Sequence, residues 1–236
     1  MQRNFRRNPA VFCGIDGCRG GWVAVFLPKS GPAGAWAEVH PQWQSIPLKG
    51  MAMAAVDMPI GLPDTGSRHC DQAARDLLGK ARSRVFLHLR RPLLGFVHDY
   101  KAANAWAKAD GKGLSVQAFN ILPKILEIDR WIAPKNQARL KEAHPELAFA
   151  RLNGGEALPS KATPQGLRVR KRLLRTAGFT GLAAMLLDVK GRGAKPDDLL
   201  DACVLTLTAR HIAGGKALCL DSEAKDRRGL RMEIWY

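Results

Sequence analysis

Short apolar runs alternate with turn-forming residues over the first quarter of the chain, and this is the pattern of β-strands separated by turns. Two of these runs flank a glycine-rich turn at residues 17–21, where positive φ angles are easily tolerated, and they predict an antiparallel hairpin. Another run is followed closely by Pro59 and Pro63, which cannot continue a strand. The predicted strands lie at residues 11–16, 22–27, 36–40 and 53–57.

Farther along the chain, apolar residues recur with helical spacing. Ser67 and Gly79 are suited to begin and end the first helix, and Pro196 is suited to the first position of the last one. Pro123 predicts a kink or a late start in the third helix. The predicted helices cover residues 68–78, 93–109, 115–132, 145–152, 167–175 and 196–213, and further strands are predicted at residues 140–144, 217–220 and 230–235.

This order of elements predicts an α/β fold. Three strands joined as hairpins, followed by β-α-β connections, indicate a mixed sheet with helices on its faces. The first three strands are expected to be antiparallel and the later ones parallel, which is the order of the ribonuclease H-like core. No linker or repeat divides the sequence, so we expect one domain over residues 1–236 with a helical insertion at about 64–132.

Charge is the most unusual feature of the composition. The chain has 37 Lys and Arg against 21 Asp and Glu, a net charge of +16, which favours contact with phosphate backbones. A solvated, highly charged surface is the alternative explanation. No apolar run is long enough to cross a membrane and no secretory signal is evident, so we expect a cytoplasmic protein that does not bind membranes.

The five cysteines are scattered, which is typical of reduced thiols. A zinc site can be assembled from Cys13, Cys18, His69 and Cys70, but its spacing matches no familiar zinc module.

Two acids stand at the ends of apolar strands. Asp16 ends the first predicted strand and Asp57 ends the fourth, and each is followed by a turn. A carboxylate buried in such a place is costly unless it is paired. The alternative is that each aspartate caps its own turn.

A second pair of acids lies on the last predicted helix. Asp197 and Asp198 fall in its first turn, where they suit the helix dipole. Asp201 lies three residues beyond Asp198 on the same face and caps nothing, so the two carboxylates repel each other unless a cation is near. His144 and Glu146 follow another predicted strand and face the same crevice in one interpretation, whereas in the other Glu146 serves the first turn of a helix.

Clustered carboxylates favour Mg²⁺ or Mn²⁺, because both ions prefer oxygen ligands. Two such ions about 4 Å apart activate water and stabilise the leaving oxygen in phosphodiester hydrolysis. No nucleophile-elbow or Walker-type motif competes with this interpretation. We therefore predict metal ligation by Asp16, Asp57, Asp198 and Asp201, with His144 and Glu146 as further catalytic candidates.

Basic residues cluster in two regions, around residues 80–91 and 168–175. If the substrate is DNA or RNA, these regions are expected to bind its phosphates. The predicted substrate-binding residues are Arg19, Arg82, Arg84, Lys161, Arg168, Arg170, Lys171 and Arg172.

Several motifs together resemble a domain-of-unknown-function family whose members are often labelled predicted ribonuclease H-like nucleases. The resemblance extends over almost the whole chain and implies that fold and, with it, nuclease activity. The motifs are GIDGCRGGW (14–22), VDMPIGLP (56–63), RHCDQAAR (68–75), RSRVF (82–86), residues 117–129, HPE (144–146), SK (160–161), DDLLDA (197–202) and GLRMEIW (229–235).

The acid positions are also similar to those of Holliday-junction resolvases. Those enzymes carry one acid on the first strand, one at the end of the fourth and a pair on the last helix, places that Asp16, Asp57, Asp198 and Asp201 fill here. The resemblance implies a homodimer. Two departures are Asp57, where the resolvase pattern has Glu, and the insertion that follows it.

Three functions are compatible with these features. The first is a divalent-metal-dependent nuclease, and the second is a nucleic-acid-binding module whose acid cluster is not catalytic. The third is a phosphotransfer domain of the actin-like and sugar-kinase class, whose phosphate loop also follows an Asp-Gly on a first strand. That class needs two such domains, whereas 236 residues hold one.

Overall fold

A computed structural model of the chain describes residues 10–236, and the basic start of the sequence lies outside that range. Five strands form one mixed sheet: β1 (Ala10–Cys18), β2 (Gly21–Pro28), β3 (Trp36–His40), β4 (Met53–Val56) and β5 (Leu140–Glu142). Their order across the sheet is β3-β2-β1-β4-β5. The strand pairs β1–β2 and β2–β3 are antiparallel, whereas β1–β4 and β4–β5 are parallel. The predicted mixed α/β sheet is thus confirmed.

Eight α-helices accompany the strands in the described range. Four of them lie between β4 and β5, and the long last helix follows a short helix that the apolar pattern did not predict. Their bounds are α1 (His69–Leu78), α2 (Tyr100–Ala109), α3 (Val116–Trp131), α4 (Pro134–Gln137), α5 (Pro145–Leu152), α6 (Pro164–Thr176), α7 (Leu182–Asp188) and α8 (Pro196–Ala213).

The two faces of the sheet are covered by different helices. Side chains of β2 alternate between the faces, as the pleat of a strand requires. Trp22 and Phe26 pack into a core that contains apolar residues of α2 and α3. Val23 and Val25 pack on the opposite face into a core built largely from α8. All of α8 from Leu199 to Ala209 is buried, which explains its nearly continuous apolar sequence.

Two details of the predicted helix starts are wrong. Ser67 does not cap α1: the residue at the cap position is Arg68, and the hydroxyl of Ser67 lies 2.8 Å from Nδ1 of His88. The helix predicted over 93–109 is divided: a 3₁₀ segment covers Arg91–Phe96, and α2 begins after Asp99, whose carboxylate accepts the N–H of Ala102. A local capping residue thus decided the start of α2.

The last two strands do not join the hydrogen-bonded ladder of the main sheet. β6 (Cys219–Lys225) and β7 (Arg231–Trp235) form their own antiparallel hairpin. A single parallel bridge joins Trp235 to Ala143, just after β5. The hairpin packs against α1, where Met232 and Ile234 meet Cys70 and Ala74.

None of the helices in the described range has the length and apolar character that a membrane span requires. All five cysteines are free thiols, and within residues 10–236 none of them belongs to a group that could hold a metal ion. The zinc site that was drawn from the sequence is therefore absent there.

Candidate active site

A cavity of about 430 Å³ opens at the carboxyl ends of the parallel strands β1, β4 and β5. This is the edge at which open α/β sheets present functional side chains. Aspartates from β1, from the residue after β4 and from α8 are among the residues that line it. Apolar side chains also line it, namely Met58, Val85, Phe86, Leu89 and Ile121.

The strand register places Asp16 beside Asp57. Ile15 pairs with Val56 across the parallel ladder, so Asp16, which lies within β1, and Asp57, which directly follows β4, are neighbours. The N–H of Asp57 donates to the carbonyl of Ile15 at 3.0 Å and extends the ladder to this point. Asp16 is buried, and its Oδ1 accepts the N–H of Gly17 at 2.7 Å.

Gly14 brings α8 to the same place. A Cβ at Gly14 would lie 2.1 Å from the carbonyl oxygen of Ala202 and 2.3 Å from the backbone nitrogen of Thr206. The backbone of α8 therefore rests directly on β1, in a contact that only glycine permits. Asp201 precedes Ala202 and lines the cavity together with Asp16. The glycine two residues before Asp16, in the motif Gly-Ile-Asp, was available in the sequence as an indication of this close packing, but the prediction of the site did not use it.

Lys161 forms an ion pair with Asp201. Its Nζ lies 2.5 Å from Oδ2 of Asp201 and 3.9 Å from Asp197. Asp201 is 1% exposed, whereas the side chain of Lys161 is 39% exposed. The second oxygen of Asp201, Oδ1, is buried and has no hydrogen-bond partner among the described residues. An unsatisfied buried carboxylate oxygen is costly and indicates a place for a ligand.

Burial and mutual repulsion shift the acids toward their protonated forms. Burial raises the pKa of Asp16 well above its usual value, and the charges of Asp57 and Asp201 add to the effect. Burial, followed by the charge of Asp201, raises the pKa of Asp57 to about 8. Burial raises the pKa of Asp201 to about 6, against the opposing charge of Lys161. Such shifts are typical of functional sites, where a bound cation relieves the repulsion.

The pKa of Lys161 is also subject to burial and to neighbouring charges, but here the charges have the larger effect. Burial lowers the pKa of its ammonium group, but the charges of Asp201 and Asp16 outweigh burial and raise it. Lys161 is therefore a permanent positive charge beside the acids. Asp198 also lines the cavity, and its Oδ2 accepts the N–H of Lys195 at 2.8 Å, as an acid in a first helical turn does.

A comparison with family models gives one match, described as "Protein of unknown function (DUF429)", over residues 14–226. The chain belongs to this family. Searches of curated proteins and of solved structures gave no match. The matched range contains every aspartate of the cavity, Lys161 and the helix that carries Asp201.

Glu146 of this DUF429 protein lines the cavity, but its carboxylate forms ion pairs with two arginines. Arg170 donates to both of its carboxylate oxygens at 2.8 and 2.7 Å, and Arg84 donates to one of them at 2.7 Å. The same guanidinium groups also donate to the carbonyls of Pro159 and Leu158, respectively. Glu146 thus anchors the loop that leads to Lys161, and it lies in the first turn of α5, which is one of the two placements that the sequence left open.

The prediction that Arg170 contacts substrate is wrong. Its side chain is fully buried behind Glu146, because its position on α6 faces the core. Arg84 is partly buried against the same carboxylate. Arg90 and Arg91, which the sequence placed in a basic cluster, are also buried in ion pairs. Five other residues that were predicted to bind substrate are exposed or partly exposed: Arg19, Arg82, Arg168, Lys171 and Arg172.

Arg68 and Glu142 were missed by the sequence reasoning. Glu142 ends β5 at the same edge as Asp16 and Asp57, and this repeated placement of an acid at a strand end was the available signal. Arg68 donates to both of its oxygens at 2.6 and 2.7 Å, and the N–H of Ile60 donates to it as well. The pair is buried, and through the N–H of Ile60 it holds the loop after Asp57.

His144 lines the cavity as predicted from its place after β5. Its Nε2 lies 3.3 Å from the carbonyl oxygen of Arg84, and its Nδ1 is buried without a partner in the described part of the chain. Burial lowers the pKa of the imidazole, which keeps the ring neutral at physiological pH.

The acids suit a hard cation by their chemistry, since Asp16, Asp57, Asp198 and Asp201 supply oxygen donors and Oδ1 of Asp201 lacks a partner. Among the side chains that the structure describes, however, no three acidic, histidine or cysteine side chains are grouped closely enough to hold a metal ion together. The ammonium of Lys161 already donates a hydrogen bond to one of these carboxylate oxygens, Oδ2 of Asp201.

Proposed function

We propose that this DUF429 protein is a divalent-metal-dependent nuclease with a ribonuclease H-like fold. The observation that carries the proposal is that Asp16, Asp57 and Asp201 line one cavity at the carboxyl ends of parallel strands. The sheet order β3-β2-β1-β4-β5, with three antiparallel strands followed by parallel ones, supports the ribonuclease H-like assignment.

In this proposal Asp16, Asp57 and Asp201 would offer oxygen ligands to Mg²⁺ or Mn²⁺, and a bound ion would activate water and stabilise charge at the reacting phosphate. Asp16 and Asp57 are brought together by the β1–β4 register, and Asp201 by the contact of α8 with Gly14. Their raised pKa values mean that the acids must release protons when the ion binds.

The other cavity groups have supporting roles. The neutral imidazole of His144 can exchange a proton through its unpartnered Nδ1. Phe86 and Leu89 give the lining of the cavity an apolar part beside the acids. Exposed basic residues, with the net charge of +16, favour DNA or RNA as the polymer that is bound.

The test is a nuclease assay with Mg²⁺ or Mn²⁺ on single-stranded, duplex, hybrid and junction substrates. We expect metal-dependent cleavage of at least one substrate by the wild type and none by the Asp16→Asn variant. Asp188→Asn, at the exposed end of α7, is the matched control and should retain full activity. Cleavage that survives in Asp16→Asn would show that the activity does not come from this cavity.

A non-catalytic nucleic-acid-binding module is the second candidate, and the Lys161–Asp201 ion pair favours it, because a lysine already neutralises one acid. Such a protein binds nucleic acid in a salt-sensitive manner with no metal-dependent turnover. Binding measured with and without Mn²⁺, beside the cleavage assay, separates the two candidates.

A further inference from the structure

The apolar side chains of the cavity have no role in chemistry at a phosphate, which is a hydrated anion. Val85 and Leu89 are buried, and both belong to the hydrophobic cores. Phe86 and Ile121 differ from them, because each lines the cavity and is only partly buried against the core. Their side chains therefore keep apolar surface that a ligand in the cavity can contact.

The backbone that leads to Phe86 is held at two consecutive residues. Arg84 donates to the carboxylate of Glu146 at 2.7 Å and to the carbonyl of Leu158 at 3.2 Å. The carbonyl of Val85 accepts a bond from Arg75 at 2.9 Å. The ring of Phe86 thus follows a fixed segment, and a preorganised contact loses less conformational entropy when a ligand binds.

His144 adds a polar group beside this segment. Its Nε2 lies 3.3 Å from the carbonyl oxygen of Arg84, and since that oxygen has no proton to give, Nε2 is the donor. Burial lowers the pKa of the imidazole, so the ring is neutral and Nδ1 is an acceptor. Nδ1 is buried and has no partner in the described part of the chain. A ligand that donates a hydrogen bond to Nδ1 would remove the cost of leaving it unsatisfied.

Together these features describe a flat ligand with apolar faces and an N–H at its edge. The cavity, of about 430 Å³, lies within the range of roughly 300–1,000 Å³ that small-ligand sites occupy. A nucleobase has faces that stack on an aromatic ring and an amino or imino N–H at its edge. The net charge of +16 favours an anionic carrier for that base, and Arg82 is exposed in the 3₁₀ segment Gly79–Arg84 just before Phe86.

We infer that the cavity takes the base of an unpaired nucleotide of a nucleic acid, with the ring of Phe86 against the base and Nδ1 of His144 accepting one of its N–H groups. The inference rests on the proposed function only in that nucleic acid is the ligand, and it requires no metal ion. A base in a duplex must leave the helix to enter a cavity, at a cost that is lowest where it is already unpaired. We therefore expect single-stranded or bulged nucleic acid to be preferred over an intact duplex.

The test measures binding in EDTA by fluorescence anisotropy with three labelled DNA duplexes. One is fully paired, one carries a single bulged deoxyadenosine, and one carries an abasic residue in place of that deoxyadenosine. The last two have the same number of phosphates, so electrostatic attraction to the protein is equal for both. We expect the wild type to bind the bulged deoxyadenosine about tenfold more tightly than the abasic residue, which is the order of effect of one base–aromatic stack.

Variants of the lining assign the preference to this cavity. Phe86→Ala should lose it, and so should Phe86→Leu, which keeps an apolar side chain against the core but has no ring. Phe96→Ala is the matched control and should keep the preference, because Phe96 is partly buried against the same core but is not among the residues that line the cavity. His144→Gln retains an N–H for the carbonyl of Arg84 but lacks the Nδ1 acceptor, so it should weaken binding of the bulged duplex alone. Melting curves establish that each variant is folded.

Two outcomes overturn the inference. One is a wild type that binds the bulged and abasic duplexes equally, and the other is a preference that persists in both folded Phe86 variants. The nuclease proposal survives either result, because its own test is cleavage in the presence of metal. Conversely, a Phe86-dependent preference without metal-dependent cleavage contradicts the nuclease and supports the inference.

Free deoxyadenosine monophosphate is the probe for a second source of the same base. If it binds in a manner that depends on Phe86, while the wild type shows no preference among the three duplexes, the cavity serves a free nucleotide and the inference of a polymer is overturned. If the bulged duplex is preferred and the free nucleotide competes with it, both ligands share the cavity and the inference is supported.

Discussion

Arg170 lies fully buried against Glu146, and its guanidinium donates to both carboxylate oxygens, at 2.8 and 2.7 Å. The sequence predicted separate roles for these residues, one at a phosphate surface and one in catalysis. In the structure they form one unit that also binds the carbonyl of Pro159. Their function is to hold the segment from which Lys161 reaches Asp201.

Arg170→Ala is expected to destabilise the fold, because it leaves the buried carboxylate of Glu146 with one cation fewer. Removing one partner of a buried ion pair costs about 3–5 kcal/mol. Chemical denaturation measures this as a decrease in the free energy of unfolding. Arg172→Ala, on the exposed side of the same helix, should change it by less than about 0.5 kcal/mol. Equal stability of the two variants would contradict the structural role of Arg170.

The exposed side of α6 is expected to contribute to nucleic-acid binding. The double variant Arg168→Ala/Arg172→Ala should bind more weakly, and the slope of log affinity against log salt should become shallower by about one for each phosphate that the variant no longer binds. Fluorescence anisotropy at several salt concentrations gives the slope. Lys101→Ala, also exposed but on α2, is the control. An unchanged slope in the double variant removes this surface from the binding site.

Asp57 should make the metal-free protein less stable as the pH rises. Its pKa is about 8 in the folded state against a usual value of 3.8, so the folded protein keeps a proton that the unfolded chain releases. Unfolding therefore releases a proton between these values, and increasing pH favours it by at most about 1.4 kcal/mol per pH unit.

Melting temperatures measured in EDTA from pH 5 to pH 8 test this expectation. The wild type should lose stability over this range, and Asp57→Asn should lose less. The raised pKa values of Asp16 and Asp201 act in the same direction, so some dependence on pH remains in the variant. Parallel curves for the two proteins would show that Asp57 ionises normally.

Asp201→Asn is expected to abolish the response to metal with a small effect on the fold. The variant lacks the charge that holds the ion, while Lys161, which is 39% exposed, can turn its ammonium toward water. Melting curves with and without Mn²⁺ should show stabilisation of the wild type and little in the variant. Loss of stability in the variant, combined with a wild type that does not respond to Mn²⁺, would assign Asp201 a purely structural role.

Gly14→Ala is expected to be among the most damaging single changes. The added methyl group would meet the backbone of Ala202 and Thr206 at 2.1 and 2.3 Å, and backbone cannot move aside as a side chain can. Overpacking of a core costs about 1–3 kcal/mol, and more where backbone is displaced. Thermal unfolding measures the cost, and Gly95→Ala, where no atom would lie within 4 Å of the added group, is the control.

The sequence by itself determined the strand that contains Asp16 and the strand that Asp57 follows, because both aspartates come after short apolar runs. It also determined that α8 is a long helix with Asp201 beyond its first turn. These features are local: strand period, turn residues and helix ends depend on neighbours in the chain. The parallel order then brings the carboxyl ends of β1 and β4 to one edge.

Only the tertiary structure decided which charges are free. Arg168 and Arg170 are two residues apart on one helix, yet the first is exposed and the second is buried against Glu146. Lys161 and Asp201 are 40 positions apart and meet because the segment before α6 lies against α8. The energy of a charge depends on its solvation and on its partners, and both are set by segments distant in sequence. The pattern of residues therefore located the acids, whereas the packing assigned their partners.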